Sequence, residues 1–141
     1  MTNRAEIEAL IEWWQPVLGL SHWRIRLDDS ENGNRGQVQT DFVYPNAVIQ
    51  VNPKNGELFK DHGDLEELIL HELLHISFNL LRRAAHKGAY RASKDSKRIA
   101  RRQFSEQEEI VVETLARSLC LLKYEGTNAK SIGQVLRKDA A

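Results

Sequence analysis

Two histidines and a glutamate interrupt an apolar segment of the chain, LILHELLHIS at residues 68–77. Burying such groups without partners costs roughly 1–3 kcal/mol each, so they need a compensating interaction. His71 and His75 are four residues apart and would share one helix face, where both imidazoles can bind one metal ion. Glu72, about 100° around the helix, can reach a water at the open coordination position. This HExxH pattern predicts a zinc site with Glu72 as general base.

A catalytic zinc site needs a third protein ligand, and the same helix does not supply it. The chain has no histidine four or six residues after His75. A later predicted helix carries Glu109 and Glu113, four residues apart in a largely apolar sequence, and two such acids on one face need a partner. Glu108 is explained differently, as the second member of a capping box that begins at Ser105 in the sequence SEQE.

The HELLH motif, followed by a separate helix with two acids one turn apart, resembles the gluzincin branch of the zincin metallopeptidases. The order of elements is also similar to minimal gluzincins and to the ImmA/IrrE-type peptidases of bacteria and their phages. The resemblance covers about residues 20–122. It implies that Glu109 is the third zinc ligand and that Glu113 hydrogen-bonds a ligand histidine. An exchange of these two roles, with Glu113 as the ligand, stays open.

The resemblance implies a zinc-dependent metallopeptidase that hydrolyses peptide bonds. Glu72 would deprotonate the zinc-bound water and pass the proton to the leaving amine. The strand predicted over 47–51 would pair with an extended peptide substrate, as an edge strand does in zincins. Tyr90 and His86 are candidates for stabilising the oxyanion. The alternative hypothesis is a regulatory or nucleic-acid-associated protein that keeps the zincin scaffold and has little or no proteolytic activity.

The rest of the sequence predicts an α+β fold whose elements position these residues. Apolar residues recur at helical spacing over 3–19, and Gly19 is a plausible end of this first helix. Alternating patterns predict strands in HWRIRLDD, QVQTDFVY and AVIQV, and therefore a small sheet of three or more strands. Three further helices are predicted: the HExxH helix over 64–83, the glutamate helix over 105–123 and a short helix over 130–138.

The whole chain has equal numbers of basic and acidic residues, but they are distributed unevenly along the sequence. Twenty basic and twenty acidic residues give no net field that would favour nucleic acid or membrane. The segment 82–102, however, holds nine Lys or Arg and one acid, Asp95. It also lacks an apolar period, so a basic loop is predicted over about 83–104, with a frayed helix as the alternative. This segment makes nucleic acid a candidate partner.

Length and cysteine content place limits on the class of protein. The 141 residues suit a single domain, which we predict to be a zincin-like domain over 1–141. Cys120 is the only cysteine, which excludes an intramolecular disulfide and a thiolate-rich zinc site and fits a reducing compartment. The N-terminal MTNRAEIEAL lacks the apolar run of a signal peptide. We therefore expect a cytoplasmic protein without a membrane-spanning segment.

Overall fold

The structure is a computed structural model that describes residues 4–28, 36–41, 43–51, 62–88 and 92–127. Over these residues the protein is α+β, as predicted, and the predicted helix over 130–138 lies outside them. The described elements are three helices and three strands, in chain order α1 (Arg4–Val17), β1 (Arg24–Asp28), β2 (Gly36–Asp41), β3 (Asn46–Val51), α2 (His62–Gly88) and α3 (Lys94–Thr127).

The sheet has β3 at its centre, in the order β1-β3-β2. β3 is parallel to β1 and antiparallel to β2, and Ile49 lies opposite both Leu27 and Val38. The prediction that 47–51 is an edge strand available to substrate is wrong, because both edges of this strand are already hydrogen-bonded. The edge strands of the described sheet are β1 and β2. Alternate side chains of β3 are buried in the core: Ala47, Ile49 and Val51.

α2 is the helix around which the other elements pack, since it contacts α1, α3 and β2. Its apolar side chains are buried: Leu65, Ile69, Leu70, Leu73, Leu74 and Ile76. α1 ends where predicted, because Gly19 adopts a positive φ of 70°, a conformation that glycine reaches without strain. The packing leaves one side of α2, with His71 and His75, facing a cleft.

The predicted basic loop over 83–104 is wrong and its helical alternative is closer, because α2 continues to Gly88 and α3 begins at Lys94. The segment 94–104 contains no Gly or Pro and is rich in Lys and Arg, which favour helix. Most of its side chains are exposed. A helix that is exposed on most of its surface needs no apolar stripe, so its sequence shows no helical period.

The start of α3 also differs from the prediction. Ser93 caps this helix, and its Oγ accepts a hydrogen bond from the backbone N–H of Ser96 at 3.2 Å. The capping box predicted at Ser105 and Glu108 is therefore wrong, since both residues lie well inside α3. The carboxylate of Glu108 is instead buried and available for another contact.

Glu66 of α2 is a buried carboxylate that joins the three helices. It is 1% exposed and accepts hydrogen bonds from Trp14 Nε1 on α1, at 2.7 Å, and from Lys123 Nζ and the Tyr124 hydroxyl on α3. Burial opposes ionisation of Glu66, but the hydrogen bonds from these three residues outweigh it and lower its pKa from the ordinary value of 4.5. This cluster fixes α2 five residues before His71.

Replacing Glu66 with glutamine should lower the free energy of unfolding at neutral pH by about 2–4 kcal/mol, because it leaves Lys123 without its buried partner. The folded-state pKa of Glu66 lies below its unfolded value. Its stabilising contribution is therefore present above about pH 4.5 and is lost as the pH falls below this value. Urea unfolding at neutral and at acidic pH should show a smaller acid-induced loss in Glu66→Gln than in the wild type.

Glu8→Gln is the matched control for this variant. Glu8 pairs with Arg4 at 2.8 Å on the surface of α1, where its side chain is 49% exposed. The control should change the free energy of unfolding by no more than about 0.5 kcal/mol. Equal destabilisation by Glu8→Gln and Glu66→Gln would contradict the structural importance of the buried cluster.

Candidate metal centre

Three potential metal ligands from α2 and α3 lie close together. Nε2 of His71 is 3.1 Å from Nε2 of His75, and the carboxylate oxygens of Glu109 lie 3.4 Å and 3.1 Å from these two nitrogens. Ligand atoms bound at 2.0–2.1 Å to a tetrahedral zinc ion are about 3.3 Å apart. Within the described ranges this is the one such group of His, Cys, Asp or Glu side chains. The donor atoms and their spacing therefore fit zinc.

Glu108 contacts His75 on the side of the ring away from the clustered ligand atoms. Its Oε1 lies 2.9 Å from His75 Nδ1, and its carboxylate accepts hydrogen bonds from Arg82 Nε and Nη2 at 2.9 Å and 2.8 Å. A carboxylate paired with a guanidinium accepts but does not donate, so Nδ1 of His75 must carry the proton. The lone pair of the neutral imidazole is then on Nε2, the atom that faces His71 and Glu109.

The electrostatic environment of His71 favours the form that binds metal. Burial lowers the pKa of His71, and the charge of the neighbouring His75 lowers it further, while Glu109 and Glu113 act in the opposite direction. Because only the neutral imidazole offers a lone pair, a lowered pKa increases the fraction able to bind a metal ion at a given pH.

Glu113 does not make the predicted hydrogen bond to a histidine. Its carboxylate pairs with Arg117 one turn later in α3, at 3.1 Å, and it is not one of the three clustered ligands. Glu108 makes the histidine contact instead. This role was not predicted, because the sequence analysis assigned Glu108 to a capping box. A sequence signal existed, because Glu108 precedes the buried Val112 and Ala116 by four and eight residues and so shares their face of α3.

Glu72 lies in a cleft that is bordered by β2, α2 and α3. It is 5% exposed and lines two adjoining parts of the cleft together with His71 and Gly36. A Cβ atom at Gly36 would lie 2.8 Å from Glu72 Oε1 and 3.0 Å from Leu68 Cδ1, so a side chain at this position would displace the ends of both side chains. Burial, reinforced by the charge of Glu109, raises the pKa of Glu72 to about 7.

β2 forms one wall of the cleft beside the clustered ligands. Four of its residues line the cleft: Gly36, Gln37, Val38 and Thr40. Asn79, one turn after His75 in α2, donates a hydrogen bond to Thr40 Oγ1 and so ties this strand to the metal-binding helix. Among the described strands β2 pairs with β3 alone, which leaves its second edge without a strand partner.

Of the two residues considered for stabilising an oxyanion, His86 does not line this cleft. His86 lies in the last turns of α2, where its ring centroid is 6.4 Å from that of Phe104, and it does not line the parts of the cleft around Glu72. Tyr90 lies outside the described residues.

Comparison of the chain with models of known protein families, with curated proteins and with solved structures found no match. Among the described helices, none combines the length and the apolar character that crossing a membrane requires. The chemistry of the centre must therefore be inferred from its own residues.

We expect the wild-type protein to retain one zinc ion per chain after metal loading and dialysis, measured by elemental analysis. Glu109→Ala should lose most of the zinc, because two imidazoles alone form an incomplete site. Glu113→Ala should keep it. The opposite pattern, with zinc lost in Glu113→Ala and retained in Glu109→Ala, would show that Glu113 and not Glu109 is the third ligand.

Glu108→Gln should weaken zinc binding by about 10-fold to 100-fold, because His75 loses the charged acceptor that holds its tautomer and ring orientation. The affinity can be measured by competition with a chelating dye. Glu106→Gln is the matched control, since Glu106 is exposed on α3 and pairs with Arg102 at 2.9 Å. Equal zinc affinity in Glu108→Gln and the control would exclude this role for Glu108.

Proposed function

We propose that this chain is a zinc-dependent metallopeptidase of the gluzincin type, built on a zincin-like α+β fold, in which His71, His75 and Glu109 bind zinc. One observation carries the proposal: two imidazole nitrogens and the Glu109 carboxylate, close enough to hold one ion, share a cleft with a buried carboxylate, Glu72, that is not among them. A structural zinc site has no need of such a carboxylate, whereas a hydrolytic site needs a general base.

The residues around the centre have distinct proposed tasks. Bound zinc would supply Lewis acidity, which polarises a carbonyl group and acidifies a water molecule. Glu72 would take the proton from this water and later give it to the leaving amine nitrogen. Glu108 would keep His75 in the Nδ1-protonated tautomer, and Arg82 would hold the Glu108 carboxylate in place.

An extended peptide is the substrate class that the cleft suits best. Among the described strands only β3 pairs with β2, so the other edge of β2, which lies beside the metal ligands, could pair with an added strand. The hydrogen bond between Asn79 and Thr40 holds this edge against α2. Gly36 allows the strand to approach Glu72 closely, which brings a paired peptide near the general base.

A nucleic-acid-associated function is the second candidate, and it rests on charge. Several cations line a shallow depression on α3: Lys94, Lys97, Arg98 and Arg101. Two other cations of the segment 82–102 are paired with acids, since Arg82 is bound to Glu108 in the candidate centre and Arg102 pairs with Glu106. Because paired cations add little to phosphate binding, we rank peptide hydrolysis first.

Glu72→Gln should abolish most peptide hydrolysis while zinc stays bound. The expected loss in kcat/KM is about 10²-fold to 10⁴-fold, the usual contribution of a general base. The assay uses the zinc-loaded protein and a broad mixture of internally quenched peptides, and zinc content is measured on the same samples. Glu12→Gln, on the exposed surface of α1, is the isosteric control and should hydrolyse like the wild type.

Two results would count against the proposal. A wild-type protein that binds zinc but cleaves no peptide in the mixture would reduce the centre to a non-catalytic zinc site. Hydrolysis that is equal in Glu72→Gln and wild type would show that Glu72 is not the base.

A further inference from the structure

The second half of α3 is apolar on two opposite faces. Its inner face packs in the core through Val112, Ala116 and Cys120. Its outer face carries seven exposed residues that lie within about 140° of one another around the helix axis. These seven residues form the outer stripe: Ile110, Val111, Thr114, Leu115, Ser118, Leu121 and Leu122. A helix that is apolar on all sides is normally buried, so the outer stripe is a candidate docking surface.

The outer stripe contains no charged residue, although α3 as a whole is highly charged. Most of the Lys and Arg residues of this helix lie before residue 103. Four charged residues fall between 107 and 122, and all of them lie elsewhere around the helix: Glu108, Glu109, Glu113 and Arg117. An apolar surface can therefore pack on the stripe without burying a charge.

The area of the outer stripe suits a weak, specific contact. Its five large apolar side chains are each between 37% and 58% exposed. Their exposed area is roughly 500 Å², which is near the upper end for the largest apolar patch of a typical monomer. Two copies that cover each other's stripe would bury roughly 1,000 Å² together, the lower limit for a specific interface.

The charges beside the stripe favour a second copy of this chain as the occupant. Glu113 and Arg117 lie on one border of the stripe and pair with each other at 3.1 Å within one chain. Arg117 is also 3.5 Å from Glu67, so one guanidinium serves two carboxylates. When two identical helices pack antiparallel about a two-fold axis beside Leu115, the numbers of facing residues add up to about 230. Glu113 of each copy then lies beside Arg117 of the other copy, and two further ion pairs form.

The same arrangement matches the uncharged residues of the stripe. Ile110 of one copy lies beside Leu121 of the other, and Thr114 lies beside Ser118. The small side chains near the middle allow the helix axes to approach to the usual distance of about 8–10 Å.

We propose that the outer stripe of α3 binds the outer stripe of a second copy, and that the chain forms a symmetric dimer with antiparallel α3 helices. The stripe contains none of the proposed zinc ligands, so the dimer does not depend on the peptidase function. Glu113 and Arg117 also line the cleft beside Glu72. In the dimer, α3 of the second copy therefore stands at the edge of each cleft.

Sedimentation equilibrium of the full chain tests for the dimer. Measurements over about 1–300 µM cover the Kd of about 10–100 µM that an interface of this size suggests. The mass should rise from 16.2 kDa, the mass of one chain, toward twice that value. Leu121→Glu should weaken the association at least about tenfold, because it places a carboxylate in the apolar contact. Leu81→Glu is the matched control, since Leu81 is a leucine of α2 with nearly the same exposure, 55% against 57%, and should associate like the wild type.

A charge exchange tests the antiparallel arrangement. Glu113→Arg and Arg117→Glu should each weaken self-association, because each places like charges opposite one another across the two-fold axis. A mixture of the two variants restores both ion pairs, so the mixed dimer should be at least about tenfold tighter than either dimer alone. Fluorescence energy transfer between differently labelled variants measures this preference. A partner other than an antiparallel second copy would not produce it.

Three results would overturn the proposal. The first is a chain that stays at 16.2 kDa over the whole concentration range. The second is a Leu121→Glu variant that associates like the wild type, which would place the interface elsewhere. The third is a chain that stays monomeric and has a much lower Tm in Leu121→Glu than in Leu81→Glu, which would show that the same chain covers the stripe.

Discussion

Two buried carboxylates hold α2 in place by pairing with cations from the helical framework. Glu108 of α3 contacts His75 and Arg82 of α2. Glu66 of α2 accepts hydrogen bonds from Trp14 on α1 and from Lys123 on α3. Breaking a buried pair leaves a desolvated charge and costs about 3–5 kcal/mol, so rotation of α2 about its axis is opposed at two points. On α2 these points are Glu66 and His75, which lie nine residues apart on either side of His71 in the sequence. The direction in which the metal ligands face is therefore determined by charge pairing as well as by apolar packing.

The parts of the site that the sequence predicts are those that depend on local spacing. His71 and His75 share a helix face whatever the rest of the chain does, and their approach to within 3.1 Å follows from a separation of four residues. The strand order could not be predicted in this way, because alternation in AVIQV indicates one buried face and does not say which strands lie on either side. β3 therefore proved to be central, and β2 became the wall of the cleft.

The misplaced start of α3 shows why Glu108 was missed. Apolar periodicity marks where a helix is buried, as it does for Val112, Ala116 and Cys120, but a helix can extend beyond its buried part. Residues 94–104 form such an extension, since their side chains favour helix and most are exposed. Once α3 begins at Lys94, a cap at Ser105 has no physical basis, and Glu108 falls on the buried face.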